Sequence, residues 1–354
     1  MLPSLVQALH GNRMLAGKTV IVLGAGSSVD FGMPVGSGLL NDIQRDLTFR
    51  FDLDRLREGD HVISHQIQSR PQDERERLFD GARRLVSALP SFNSIDDCLY
   101  THGDDEFIRR IGKVAIARAL SRTEHASWLK GLNAPGQDIR GGALRQLRGT
   151  WVHSLVRLLV TGLKARDSQQ LFADLTLVTF NYERSAELAL YHLAKEALDL
   201  SDEEAFRALC QLKVYRPYGG LGTLRLPHRN GVSYGSDSVD LFNIATGIYV
   251  YTEDLGERPD LVEMSDMIAE ADKIVFLGFG FHTQNVDLIS AASADGHPRD
   301  LLGTLTRETH PRQDVFRERA VAAFQPHGGF GRVELSAAHD CNQFMLDYGP
   351  RLSA

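Results

Sequence analysis

"VIVLGAGSSVDFGMPVGSGLL", residues 20–40, is the stretch on which the fold turns. It opens with an unbroken apolar run, which is how a strand buried on both faces of a parallel sheet reads. Gly24 and Gly26 follow at once. Such a turn lets backbone N–H groups approach the oxygens of a phosphate closely. Gly32, Pro34, Gly36 and Gly38 then interrupt any long helix and predict a second loop, one that folds over a ligand. No Gly-Lys-Ser/Thr follows, so this is not a Walker A loop. Val29 stands where the ordinary dinucleotide fingerprint carries its third glycine or alanine.

Working outward, three more stretches read as strands: "LTLVTFNY" (175–182), "DKIVFLGFGF" (272–281) and "GRVELS" (331–336). Helical patterns at 183–198 and 260–271 lie between them. Strands alternating with helices predict an α/β fold, here a Rossmann-like doubly wound parallel sheet. Residues 42–56, 73–89, 104–120 and 142–165 are all helical by period, with charged faces. They predict a helical module inserted after the first strand–helix unit. The expected organisation is one domain over 1–354, with an α/β core at 17–47 and 170–350 and a helical insertion at 48–169. A short β-rich patch is expected around 211–251, where "LKVYRPYGG", "GTLRL" and "GIYVY" alternate with Gly, Pro and Asn.

The formal net charge of −7 argues against a surface built for nucleic acid, and no direct nucleic-acid binding is expected. Cys98, Cys210 and Cys341 are far apart, which gives neither a disulfide framework nor a metal ribbon. The N-terminal stretch 1–18 is broken by Gln7 and His10 and does not read as a secretory leader. No apolar run approaches the roughly 18 residues of a spanning helix, so a cytoplasmic protein with no membrane partner is expected. The apolar faces of "VHSLVRLLV" (152–160) and "VAIARAL" (114–120) suggest surface for a second copy of the chain, or contact with the sheet.

"GAGSSVDFGMPVGSGLL" (24–40) resembles the NAD-binding loop of sirtuins, and most of all that of the bacterial sirtuin-like, NADase-type proteins of antiphage defence. "NSIDDCLY" (93–100), "LVTFNYERSAE" (177–187) and "IVFLGFGFHTQNVDLI" (274–289) are similar to that branch's further motifs, in the same order. The resemblance implies that Gly24, Ala25, Gly26, Ser27 and Ser28 hold a pyrophosphate, and that Met33 and Pro34 lie over the nicotinamide. It implies that Asn181 faces the nicotinamide ribose and positions the attacking water. Gly278, Phe279 and Gly280 would contact the adenosine ribose, with Asn285 and Asp287 closing that end. Where the family carries His-Gly, this chain has Tyr218-Gly219. His282 is the favoured substitute base, with His228, His102 and His153 as other candidates; each would otherwise be a surface or packing histidine. After Pro34 the chain reads Val-Gly-Ser, not the deacylases' Asp-Phe-Arg, and the deacylases' four-cysteine zinc site cannot be built from three scattered cysteines. No zinc and no other metal is expected.

The expected function is an NAD glycohydrolase, with NAD as substrate, that depletes NAD in antiphage defence. Oligomerisation or a partner, such as a HerA-type ATPase or another defence sensor, would hold it in check. The alternative is an inactive NAD- or ADP-ribose-binding subunit of a defence assembly, with Tyr218 as its best evidence.

Overall fold

The computed structural model describes residues 15–53, 55–134, 137–237, 239–250, 258–290, 299–305, 310–324 and 330–353. The N-terminal stretch 1–14 and Tyr251 of the β-rich patch lie outside them. In chain order the first elements are β1 (Thr19–Leu23), α1 (Gly36–Leu47), β2 (Arg50–Asp52), β3 (Arg55–Glu58), α2 (His61–Gln68) and α3 (Gln72–Ala88). There follow α4 (Ile95–Thr101), α5 (Glu106–Ala126), α6 (Gln137–Leu147) and α7 (Trp151–Val160). The chain then forms β4 (Leu175–Thr179), α8 (Ser185–Ala197), α9 (Asp202–Leu209), β5 (Lys213–Tyr215), α10 (Leu241–Ala245) and α11 (Pro259–Ala269). It closes with β6 (Lys273–Leu277), α12 (Thr283–Ser290), β7 (Arg299–Thr304), α13 (His310–Phe324), β8 (Phe330–Ser336) and α14 (Cys341–Tyr348).

Six strands form one parallel sheet in the order β5-β4-β1-β6-β7-β8. Numbered by their own succession that is 3-2-1-4-5-6, the order of a doubly wound nucleotide-binding sheet. β1, β4 and β6 are buried at every position, which is why their sequences run apolar without alternation. β1 is central, and the chain reverses its direction of winding between β1 and β6. In open sheets of this kind the ligand crevice lies beyond the carboxyl ends of the strands at that reversal.

Two hydrophobic layers cover the sheet. Val20, Val22, Val178, Ile274 and Phe276 point into one, which holds residues of α1, α2, α3, α5 and α10. Ile21, Leu23, Leu177, Val275 and Leu277 point into the other, with residues of α6, α7, α8 and α14. The helical stretch therefore does not pack as one block, because α7 lies against α8 and α14 while α3 and α1 lie against α5. The two apolar runs considered as surface for a second copy are spent inside the chain. Val152, Leu155, Val156 and Leu159 are buried, as are Val114, Ala115, Ile116 and Ala117.

The helical reading of 42–56 is corrected. α1 ends at Leu47, and β2 and β3 form an antiparallel hairpin that pairs Phe51 with Leu56 and Asp52 with Arg55. Leu53 takes a positive φ of 51° at its turn, and ion pairs Arg50–Glu58 (3.1 Å) and Arg57–Asp52 (2.6 Å) brace its two strands. Among the described residues of the expected β-rich patch, only Lys213–Tyr215 joins the sheet; the others form turns, isolated bridges and α10. β7 went unread because its "RDLLGT" is short, polar at both ends and interrupted by Gly303.

Candidate functional site

The end of β1 and the end of β6 meet backbone to backbone. The Gly26 N–H donates to the Gly278 carbonyl at 3.0 Å, and the Gly24 N–H donates to the Leu277 carbonyl. A Cβ on Gly24 would lie 2.5 Å from the Gly278 oxygen, and one on Gly26 would lie 2.8 Å from the Gly278 Cα. Gly278 itself has φ +59°, and its Cβ would fall 2.1 Å from the Ser27 nitrogen. These glycines are therefore required by close approach of the two loops. Any ligand would lie across the pair of loops, not between them.

Residues 25–31 form a 3-10 turn ending in the left-handed Gly32. Several of its carbonyls are held from the side of the second hydrophobic layer. Trp151 Nε1 donates to the Ser27 oxygen (2.7 Å), Trp128 Nε1 to the Asp30 oxygen (3.2 Å) and Ser127 Oγ to the Phe31 oxygen (2.7 Å). Met33 is buried in that same layer, while Pro34 is half-buried in the loop that follows.

Asn181, two residues past β4, is the hub. Its Nδ2 lies within reach of the Gly24 oxygen (3.0 Å), Ser28 Oγ (3.0 Å) and Ser27 Oγ (3.3 Å). Ser28 Oγ in turn donates to Glu183 Oε1 at 2.5 Å, and the other oxygen of Glu183 accepts the Ser185 N–H at the start of α8. Arg216 Nη1 clamps the carbonyls of Asn181 (2.7 Å) and Glu183 (3.0 Å), while its Nη2 pairs with Glu187. The tip of β4 is thus bound to the glycine loop on one side and to β5's extension on the other.

Beside this hub lies a second polar group. Tyr182 donates its hydroxyl to Asp96 Oδ1 at 2.5 Å. Asp96 sits in the first turn of α4, behind the Ser94 cap. Enclosure by the surrounding protein raises the Asp96 carboxyl above the ordinary carboxylate value, and the Tyr182 hydrogen bond and the field of His282 act against that rise. Tyr218 donates to Asn285 Oδ1 at 2.7 Å, and its ring stacks on Tyr182 and meets Phe180 edge-on. The glycine after Tyr218 is obligatory. Gly219 has φ +67°, and its Cβ would meet the Gly247 oxygen at 1.9 Å. Main-chain bonds from Leu221 to Tyr182 and from Tyr249 to Tyr218 fix this segment against the strand ends.

The expected site residues divide accordingly. Gly24, Gly26, Ser27, Ser28, Asn181 and Gly278 are in direct contact, Ala25 lies in the same turn, and Tyr218 and Asn285 are paired. His282 is exposed, stands beside Gly280 and is close enough to act on Asp96 electrostatically. The Phe279 ring is buried among Phe180, Phe276 and Phe281, which leaves only its backbone for a ligand. Asp287 is exposed on α12. Among the other histidines, His102 caps the end of α4 against Phe92, His153 lies on α7 on the opposite side of the sheet, and His228 occupies a turn elsewhere. The sequence reading missed Asp96, Tyr182, Glu183 and Arg216. Asp96 and the two strand-end residues lay inside stretches already singled out, but their pairing crosses dozens of residues and has no periodic signal.

Among the described residues no group of three or more His, Cys, Asp or Glu side chains could hold a metal, and no helix is long and apolar enough to cross a membrane. Burial pushes the Cys98 thiol up to about 11 and the Cys341 thiol to about 12, so neither is a ready nucleophile.

Comparison with known proteins finds no matching protein-family model and no matching curated protein. Among solved structures the chain is similar to a Sir2 homolog–NAD complex, at 11% identity, covering 96% of this chain and 91% of that one with a TM-score of 0.35.

Proposed function

We propose that the chain is an NAD glycohydrolase of the sirtuin-like kind, releasing nicotinamide and ADP-ribose. The observation that carries the reading is Asn181, held against the glycine loop at the end of β1, with the next residue, Tyr182, donating its hydroxyl to the Asp96 carboxyl in the first turn of α4. In the proposed reaction the bond from ribose C1′ to the pyridinium nitrogen breaks, and its electron pair leaves with neutral nicotinamide. A water oxygen bonds to C1′, and its proton passes to Asp96. Asn181 orients ribose and water, and the pyrophosphate lies across the glycine loop. A carboxylate whose pKa enclosure raises above the ordinary value is a better base than a tyrosine of pKa about 10. This chemistry does not need the missing histidine.

Constant NAD cleavage would be toxic. The resemblance of the motifs to defence proteins therefore extends the proposal to depletion of NAD during phage infection, released by self-assembly or by a partner such as a translocase ATPase. The second reading is a subunit that binds NAD or ADP-ribose without cleaving it. Two observations favour it: Tyr218 occupies the histidine position with its hydroxyl committed to Asn285, and the Asn181 amide nitrogen is engaged by the loop.

The test is incubation of the purified full chain with NAD while nicotinamide release is followed, alone and with candidate partners. Asp96→Asn keeps an oxygen to accept from Tyr182 but removes the base. It should cost roughly 10²–10⁴-fold in rate and abolish the acidic limb of the pH–rate profile. A wild-type chain that leaves NAD intact in every assembly state while ADP-ribose binds by calorimetry would replace the enzyme with the binding subunit.

A further inference from the structure

A large cavity lies away from the glycine loop. It is a cleft of about 1220 Å³ between residues 127–134 and 138–146 on one side and the turn at 225–234 on the other. Its volume exceeds the usual range of roughly 300–1,000 Å³ for small-molecule pockets. Its charge is one-sided: Lys130, Arg225 and Arg229 line it against the single carboxylate of Asp138. Arg225 makes no side-chain hydrogen bond or ion pair among the described residues. Among the described residues Arg229 is held through Nε, which donates to the Leu224 oxygen at 2.8 Å, while its Nη2 is buried without a partner. A buried guanidinium nitrogen without an acceptor is costly, and an anion is the group that would satisfy it.

The side opposite Arg225 and Arg229 carries the apolar groups, together with Lys130 and Asp138. Trp128 lines the cleft, its indole fixed by the bond to the Asp30 oxygen, and Ile139 is 63% exposed beside it. The floor turn is strained in the manner of functional sites. Leu226 and Arg229 exchange both main-chain hydrogen bonds across Pro227 and His228, and His228 is held at φ +65°, where glycine or asparagine would be cheaper. Arginine side chains on one side, with an indole, an isoleucine and the Lys130 ammonium on the other, suit a ligand with a flat ring at one end and a phosphate at the other.

We infer that this cleft is a binding site for a nucleoside phosphate, with the ring against Trp128 and Ile139 and the phosphate against Lys130, Arg225 and Arg229. It goes beyond the proposed NAD site, from which it is physically separate, but it touches the same loop. Trp128 and Ser127 hold the carbonyls of Asp30 and Phe31 at the far end of the 3-10 turn that begins beside Gly24. A ligand that shifts Trp128 would therefore be felt by the glycine loop.

The chain has two tryptophans, Trp128 at the cleft and Trp151 bonded to the Ser27 oxygen of the glycine loop, so a change in intrinsic fluorescence counts for the cleft where the cleft variants below lose it. Titration with adenosine 5′-monophosphate should change that fluorescence saturably, and adenosine and inorganic phosphate should each bind at least tenfold more weakly. Arg225→Glu and Ile139→Glu alter exposed side chains, so they should fold normally, and each should weaken binding at least tenfold. Calorimetric binding of ADP-ribose at the glycine loop should persist in both variants, which separates this site from the other. No saturable change up to millimolar concentration would overturn the inference. So would equal affinity in both variants, since binding would then lie elsewhere.

Discussion

At the scale of single residues, the site is built from groups that serve two purposes. The Asn181 amide nitrogen braces the glycine loop, and in the proposed reaction the same side chain orients the ribose. Asn181→Ala should lower nicotinamide release on the order of 10²-fold, the cost of a positioning group. It should also lose about 1 kcal/mol of stability for each hydrogen bond removed, and parallel rate and denaturation measurements on the one variant check both. Gly278 is the more brittle position. Alanine there would meet the Ser27 nitrogen and must hold φ +59°, so Gly278→Ala should destabilise by on the order of 2–4 kcal/mol. A denaturation midpoint within error of wild type would show that the two loops do not touch as described. Because Gly24 and Gly26 face the same backbone, a bulky substitution at either would test folding before it tests pyrophosphate binding.

Among the elements, α8 carries the clearest pH signature. His192 lies on its buried side, with Nε2 3.1 Å from Asn133 Oδ1 and Nδ1 buried without a partner. Burial, with Arg140 and Lys195 nearby, lowers its pKa from 6.5 to about 3. The native ring stays neutral while the unfolded ring takes up a proton as pH falls through 6.5. Between those two values the unfolded state binds more protons, so this contribution is present above pH 6.5 and is lost on acidification. From pH 7 to pH 5 the loss should be about 2 kcal/mol. His192→Gln should flatten that part of the stability profile in urea titrations at the two pH values. Element legibility followed burial. β1, β4 and β6 are buried on both faces and announced themselves as apolar runs. β7 did not, since Gly303 reads as an interruption; a Cβ there would lie 2.4 Å from the Phe276 oxygen of β6, so the glycine serves close approach within the sheet. The β2–β3 hairpin was misread because its charged residues fit a helical surface as well as exposed strands.

For the whole molecule, one buried ion pair ties distant parts together. Arg184, at the start of α8 and 2% exposed, meets Glu124 near the end of α5, which is fully buried, with Nε–Oε1 at 3.1 Å and Nη2–Oε2 at 2.5 Å. Glu124 also accepts the Gly235 N–H, and Arg184 Nη1 donates to the Val232 oxygen, so helices from both halves of the chain and the 232–235 turn converge on one pair. Glu124→Ala would leave a buried guanidinium without its carboxylate and should cost roughly 3–5 kcal/mol, read as an equal loss by fluorescence and far-UV circular dichroism. The sequence by itself determined the sheet class and the glycine turn at the end of β1, because each rests on a local rule, apolar runs for buried strands and glycine for tight turns; Asn181 was singled out only through the motif resemblance. Tertiary structure alone decided that Gly24 and Gly26 pack against Gly278, that the helical stretch is split across both faces of the sheet, and that Asp96 reaches Tyr182. Those pairings depend on which surfaces meet after folding, across sequence separations that no local period records.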